Sequence, residues 1–129
     1  ACSVSQAAAV EALNGDQTFV KDSVVVYQQR RDRCLALLNA IDGLSCRTPD
    51  GAFYLYVNCS GLLGQSTPQG KRLETDYDVV MYLLESQGVA VVAGTAYGLA
   101  PFFRMSIATD ITTLDEGCSR IAAAVAALH

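Results

Sequence analysis

No histidine lies inside this chain of 129 residues; the only one, His129, is the last residue and is given no chemical role. Hydrolases of the Ser-His-Asp or Cys-His type are excluded with it, because both use an internal imidazole as base. The five cysteines, Cys2, Cys34, Cys46, Cys59 and Cys118, contain no C-x-x-C pair. Zinc needs clustered Cys and His ligands, so no metal site is expected. A sparse, odd-numbered set is also a poor disulfide framework. It reads as free thiols in a reducing compartment, which points to the cytoplasm. A basic excess is missing too: nine Lys plus Arg face thirteen Asp plus Glu, a net charge of -4. No nucleic-acid partner is expected on that balance. The longest apolar run, Ile121 to Leu128, falls far short of the ~20 residues that cross a bilayer, so no membrane partner is expected either. Neither G-x-G-x-x-G nor a phosphate loop ending in lysine occurs.

What is present is core material. Hydrophobic residues make up 51% and charged residues 17%, which predicts one ordered domain. The chain opens at Ala1 without a secretory pattern and reads as trimmed, or as a piece of something longer. Ser3 and Gln6 have capping-box spacing, and Ala7, Val10 and Leu13 repeat along one face, so residues 3–14 read as a helix stopped by Gly15. A longer helix over residues 17–42 carries the stripe Val20, Val24, Tyr27, Arg31, Cys34, Leu38 and Ile41. Strands are expected over residues 52–58, 89–92 and 102–108. In the first of these, Phe53, Leu55 and Val57 share a face. A helix over residues 76–87 turns Val79, Val80, Leu83 and Leu84 inward. Thr113 and Glu116 open a last helix. Three strands with helices packed on them make a small α/β (α+β) unit, preceded by a long connector helix.

Self-sufficient catalysis is hard to build from these residues. Asp76, Asp78, Asp115 and Glu116 sit near helix starts, where capping and the helix dipole explain them. Arg30, Arg31 and Arg33 flank Asp32 and read as a solvated helix face, except that Arg31 falls in the apolar stripe. Arg104 is different. It interrupts the apolar run Phe102-Phe103-Arg104-Met105-Ser106-Ile107-Ala108, and period two sets Arg104 and Ser106 opposite Phe103, Met105 and Ile107. Two readings stand side by side. Arg104 either faces outward or pairs with a local acid such as Asp110, or its planar fork receives the carboxylate of an anionic ligand.

The run Gly88-Val89-Ala90-Val91-Val92-Ala93-Gly94-Thr95-Ala96-Tyr97-Gly98, followed by Phe102 to Ala108, resembles the C-terminal part of class I/II aminotransferases of the aspartate type. So do Ser3-Val4-Ser5-Gln6, Pro49-Asp50-Gly51-Ala52-Phe53-Tyr54 and Tyr82-Leu83-Leu84-Glu85, all in order across the chain. The resemblance implies the small domain of a fold-type I pyridoxal-phosphate enzyme. Residues 1–43 would be inter-domain connector helices and residues 44–129 the C-terminal small domain. Arg104 matches the family arginine that grips the substrate α-carboxylate, and the Gly94 to Gly98 loop matches a segment near the active-site mouth, which makes Tyr97 a candidate for the pocket wall. The helix over residues 17–42 matches the connector to a large domain, and the small domain of the family moves on substrate binding.

The Schiff-base lysine and the phosphate loop of such enzymes lie upstream of this chain. No catalytic and no cofactor-binding residue is therefore assigned, and pyridoxal 5'-phosphate is not expected to bind the isolated chain. Lys21 and Lys71 match no family position. Ala93, Thr95 and Tyr97 depart from the proline or histidine, serine and phenylalanine common there. The implied whole enzyme is a homodimer that moves an amino group between an amino acid, aspartate first, and a 2-oxo acid. The alternative is a stand-alone module that binds a carboxylate through Arg104 or dimerises through the Val20 to Ile41 stripe.

Overall fold

A computed structural model describes all residues, 1–129. Helix α1 (Ser3–Asn14) and helix α2 (Thr18–Asn39) lead into strand β1 (Tyr54–Asn58). Helix α3 (Asp76–Gln87), strand β2 (Val92–Ala93), strand β3 (Phe102–Ser106) and helix α4 (Ile111–Ala126) follow. The sheet is antiparallel in the order β1-β3-β2, with Tyr56 opposite Arg104 and Ala93 opposite Phe103. The small α/β (α+β) unit with three strands is as the sequence implies.

Alternation on the two long strands decides what the sheet faces. Leu55 and Val57 on β1 and Phe103 and Met105 on β3 are buried, while Tyr54, Tyr56 and Arg104 lie on the other face. A sheet this small is not stable alone. It is held by helices on its apolar face: Cys34 and Leu38 of α2, Val79 and Leu83 of α3, and Leu114 and Ile121 of α4 join the same core. Each fully buried Leu, Val or Phe side chain contributes about 1.5–3 kcal/mol. Polar ties also fix the helices to one another. Arg33 pairs in bidentate fashion with Asp115, at 2.8 and 3.2 Å, and the Tyr82 hydroxyl donates to the Ala124 carbonyl at 2.9 Å.

Several boundaries differ from the sequence reading, each for a local reason. Ser3 is helical, not a cap: Cys2 holds the cap position without a side-chain bond, and the Gln6 amide donates to the Ala1 carbonyl. Asp110 caps α4 by accepting the Thr113 N–H at 2.9 Å, so Thr113 lies inside the helix and Glu116 pairs with Arg120 instead. Strand β2 is only two residues long: Val92 and Ala93 alone pair with β3, opposite Arg104 and Phe103. Phe53 precedes β1, and both Phe53 and Leu84 are exposed.

The α2 stripe is buried only from Cys34 onward. Val20 and Val24 are exposed, and α1 buries no residue at all. Arg31, the oddity of the stripe, bonds Asp32 and reaches the Pro49 carbonyl at 3.4 Å. Cys2 is exposed and the other four cysteines are buried as free thiols, with burial raising Cys59 to about 12. At the opposite end of the chain, His129 pairs through its main chain with Ser66.

Helix α3 starts with a capping box. Thr75 Oγ1 accepts the Asp78 N–H at 3.2 Å, and the Asp78 carboxylate accepts the Thr75 N–H at 3.1 Å. Lys71 sits 3.0 Å from the same carboxylate. Its ammonium, then the Thr75 hydroxyl, hold Asp78 down at about 2 from an ordinary 3.8. A depressed carboxyl stabilises the fold above its unfolded value and loses that contribution as pH falls through the folded one. The window is therefore 3.8 down to about 2. Across it the urea midpoint of the protein should fall, and in Asp78→Asn it should fall less steeply. Parallel pH profiles of the two proteins would contradict this.

Candidate functional site

On the open face of the sheet, Arg104 is half-buried at the centre of β3. Two rings from different elements pack against its guanidinium. Its Cζ lies 4.3 Å from the ring centroid of Tyr54 on β1 and 4.5 Å from that of Tyr97. Contacts of this kind are attractive, by about 0.5–2 kcal/mol each depending on exposure, and they fix where the cation sits. Guanidinium N–H groups point outward in the plane of the group, so rings packed against it leave the donors free to bond elsewhere. No Asp or Glu of this chain comes within salt-bridge distance of Arg104.

The local-acid alternative fails on this geometry. Both Asp110 oxygens are engaged by Thr112 and Thr113, which with the cap hold its carboxyl well below the usual range. What remains is a positioned, uncommitted two-pronged donor on an open face. Chemically, that arrangement suits a planar anion such as a carboxylate.

Tyr97 reaches Arg104 on a single 3-10 turn, Gly94–Tyr97, closed at Gly98 in the left-handed region with φ 75°. Gly94 has no room for a side chain: a Cβ there would meet the Leu99 carbonyl oxygen at 2.1 Å and that of Phe102 at 2.8 Å. The Gly94 carbonyl accepts the Tyr56 hydroxyl at 3.3 Å and the Leu99 N–H at 3.1 Å. Sequence reading singled out Arg104 and Tyr97, and the structure brings these two together. It missed Tyr54, although β1 alternation around Leu55 and Val57 already put Tyr54 on the Arg104 face. It also read Asp76 as a helix-start acid, whereas the structure buries that side chain against Thr95.

Residues 1–121 match the family model described as aminotransferase class I and II. This chain belongs to that family. It is 57% identical over 122 residues to an aspartate aminotransferase of Rhizobium meliloti (strain 1021), covering 95% of this chain and 30% of the relative. A probable aspartate/prephenate aminotransferase of Rhizobium leguminosarum bv. phaseoli is 51% identical, covering 94% of this chain and 30% of that protein. The crystal structure of the aspartate aminotransferase from Rhizobium meliloti superposes with a TM-score of 0.96 at 55% identity. It covers 98% of this chain and 32% of that one. The fold is thus the small domain of a fold-type I aminotransferase. The chain spans under a third of the length of these relatives.

Neither lysine of this aminotransferase chain joins the Tyr54-Arg104-Tyr97 cluster. Lys71 is committed to Asp78, and Lys21 lies on the exposed first turns of α2. These residues do not form a cradle for pyridoxal phosphate, which needs a free lysine amine and a phosphate cup. No cluster of His, Cys, Asp and Glu has the makings of a metal site, and no helix is long and apolar enough to cross a membrane.

Proposed function

We propose that the whole protein carrying this chain is a pyridoxal-phosphate-dependent transaminase. It exchanges an amino group between an amino acid, aspartate first, and a 2-oxo acid, and this chain supplies the α-carboxylate site. The observation that carries the assignment is Arg104, packed by Tyr54 and Tyr97 and bonded to no acid of its own chain. The names of the aspartate aminotransferase relatives support the substrate class.

In this reading Arg104 binds the substrate carboxylate and fixes the orientation of the Cα substituents, while Tyr97 forms the pocket wall. Pyridoxal phosphate, when bound to the whole enzyme, supplies the electron sink. Its lysine and phosphate cup are assigned to the part of the protein this chain does not span.

Residues 1–43 serve as the connector and residues 44–129 as the small domain. The exposed Val4, Val10, Leu13, Phe19, Val20 and Val24 fit that division, since a run of apolar side chains along two helices marks a surface meant to be covered. The large domain of the same protein, in a homodimer, is the assigned cover. Buried free thiols fit a reducing cytoplasm. The test is the full-length protein assayed with aspartate and 2-oxoglutarate. Oxaloacetate and glutamate should form in equal amounts with added cofactor, and their absence across the common amino acids would overturn the assignment.

A further inference from the structure

Asp76 is the one charged residue buried in this protein, 1% exposed at the first position of α3. Taking a carboxylate out of water is costly unless donors replace the lost solvent. No lysine or arginine does so here, since none lies within salt-bridge distance. Both donors come from a single residue. Thr95 gives its backbone N–H to Oδ2 at 2.8 Å and its hydroxyl to Oδ1 at 2.5 Å. The amino end of α3 adds favourable potential.

Thr95 stands in the turn that delivers Tyr97, two residues before the ring that packs on Arg104. The other bonds of that turn run to Tyr56, to Leu99 and, through the Gly98 N–H, back to the Thr95 carbonyl. The bond pair to Asp76 is therefore the only hydrogen-bonded tie between the turn and α3. A helix rooted in the core by Val79 and Leu83 is the rigid member of the two.

We propose that Asp76, acting through Thr95, is a positioning residue that sets Tyr97 against Arg104 and so holds the guanidinium ready for a substrate carboxylate. The inference rests on the reading of Arg104 as the carboxylate-binding arginine. In this inference Asp76 and Thr95 act on the substrate only through Tyr97 and Arg104. Losing one Thr95 bond lets the turn lift, and Arg104 then samples orientations in which its fork is misaligned.

The test uses the full-length protein loaded with pyridoxal phosphate and follows succinate by calorimetry. Succinate has carboxylates but no amino group, so binding is read without turnover. Thr95→Val removes only the hydroxyl at a surface position and should weaken succinate about tenfold, the worth of one well-placed cation–π contact. Thr95→Ser keeps the donor and should bind within about twofold of the parent. In a Tyr97→Leu background Thr95→Val should add no further loss, because its effect travels through that ring. Asp76→Asn, which turns one acceptor into a donor, should show the same weakening as Thr95→Val.

Parent affinity in Thr95→Val or in Asp76→Asn overturns the inference, as does an undiminished loss in the Tyr97→Leu background. In either case Arg104→Lys tells the two readings apart. If Arg104→Lys loses succinate, the carboxylate site stands and only the positioning role falls. If Arg104→Lys binds like the parent, the site assignment falls and takes this inference with it.

Discussion

Replacing Arg104 with lysine in the full-length protein should lower kcat/KM for aspartate by about a hundredfold to a thousandfold. Lysine keeps the charge but presents a point cation where the arginine presents a planar fork. One of two charge-assisted hydrogen bonds is lost, each contributing about 1.5–3 kcal/mol. The packing of Tyr54 and Tyr97 against a flat cation is lost with it. Stability should change little, because Arg104 has no acid partner in this chain whose charge would be left buried and unpaired. The useful comparison is therefore steady-state kinetics beside a melting curve. A large kinetic loss at nearly unchanged Tm places Arg104 in substrate binding. A kcat/KM within about threefold of the parent would remove it from the site.

Much of this site was legible in the sequence, for a reason that particular residues make plain. Arg104 interrupts an apolar strand, and a charge in such a strand has only a few physical outcomes. Period-two alternation then fixed its face, and Phe103 and Met105 are buried opposite it, as that pattern requires. What could not be read was which contacts Arg104 makes. Asp110 is close in sequence and looked like a partner, yet its oxygens are spent on Thr112 and Thr113 at the start of α4. Capping is a local competition, and the nearer donors won it. The Asp76–Thr95 pair spans 19 residues and exists only once α3 and the Gly94–Tyr97 turn are packed together. No periodicity announces such a pair. The α2 stripe shows the complementary limit. Its spacing reports that a face is apolar but not what covers it, and in this chain Val20 and Val24 face outward while Cys34 and Leu38 are buried.

Gly94→Ala should be the most damaging single methyl in the protein, and Gly98→Ala, only four residues away, a comparatively mild one. The two glycines bound the same turn for different reasons. Gly98 needs freedom of φ, at 75°, but has open space around it, with no atom within 4 Å of an added Cβ. Alanine there pays only for the left-handed conformation, about 1–2 kcal/mol. Gly94 needs space. Its Cβ would sit 2.1 Å from the Leu99 carbonyl oxygen, 2.8 Å from that of Phe102 and 2.9 Å from the Phe102 Cβ. Two of those atoms are backbone, so no rotamer relieves the clash and the turn itself must move. Overpacking of this kind costs about 1–3 kcal/mol or more. Moving the turn also breaks the Tyr56–Gly94 and Leu99–Gly94 bonds and shifts Tyr97 off Arg104. The two variants should therefore separate on two axes at once. Gly98→Ala should lower Tm modestly and keep most of the succinate affinity. Gly94→Ala should lower Tm further and lose succinate binding by at least about tenfold, through the same ring that Thr95 positions. Equal losses in the two variants would mean that the close approach of Gly94 to residues 99–102 has no part in holding Tyr97 on the arginine.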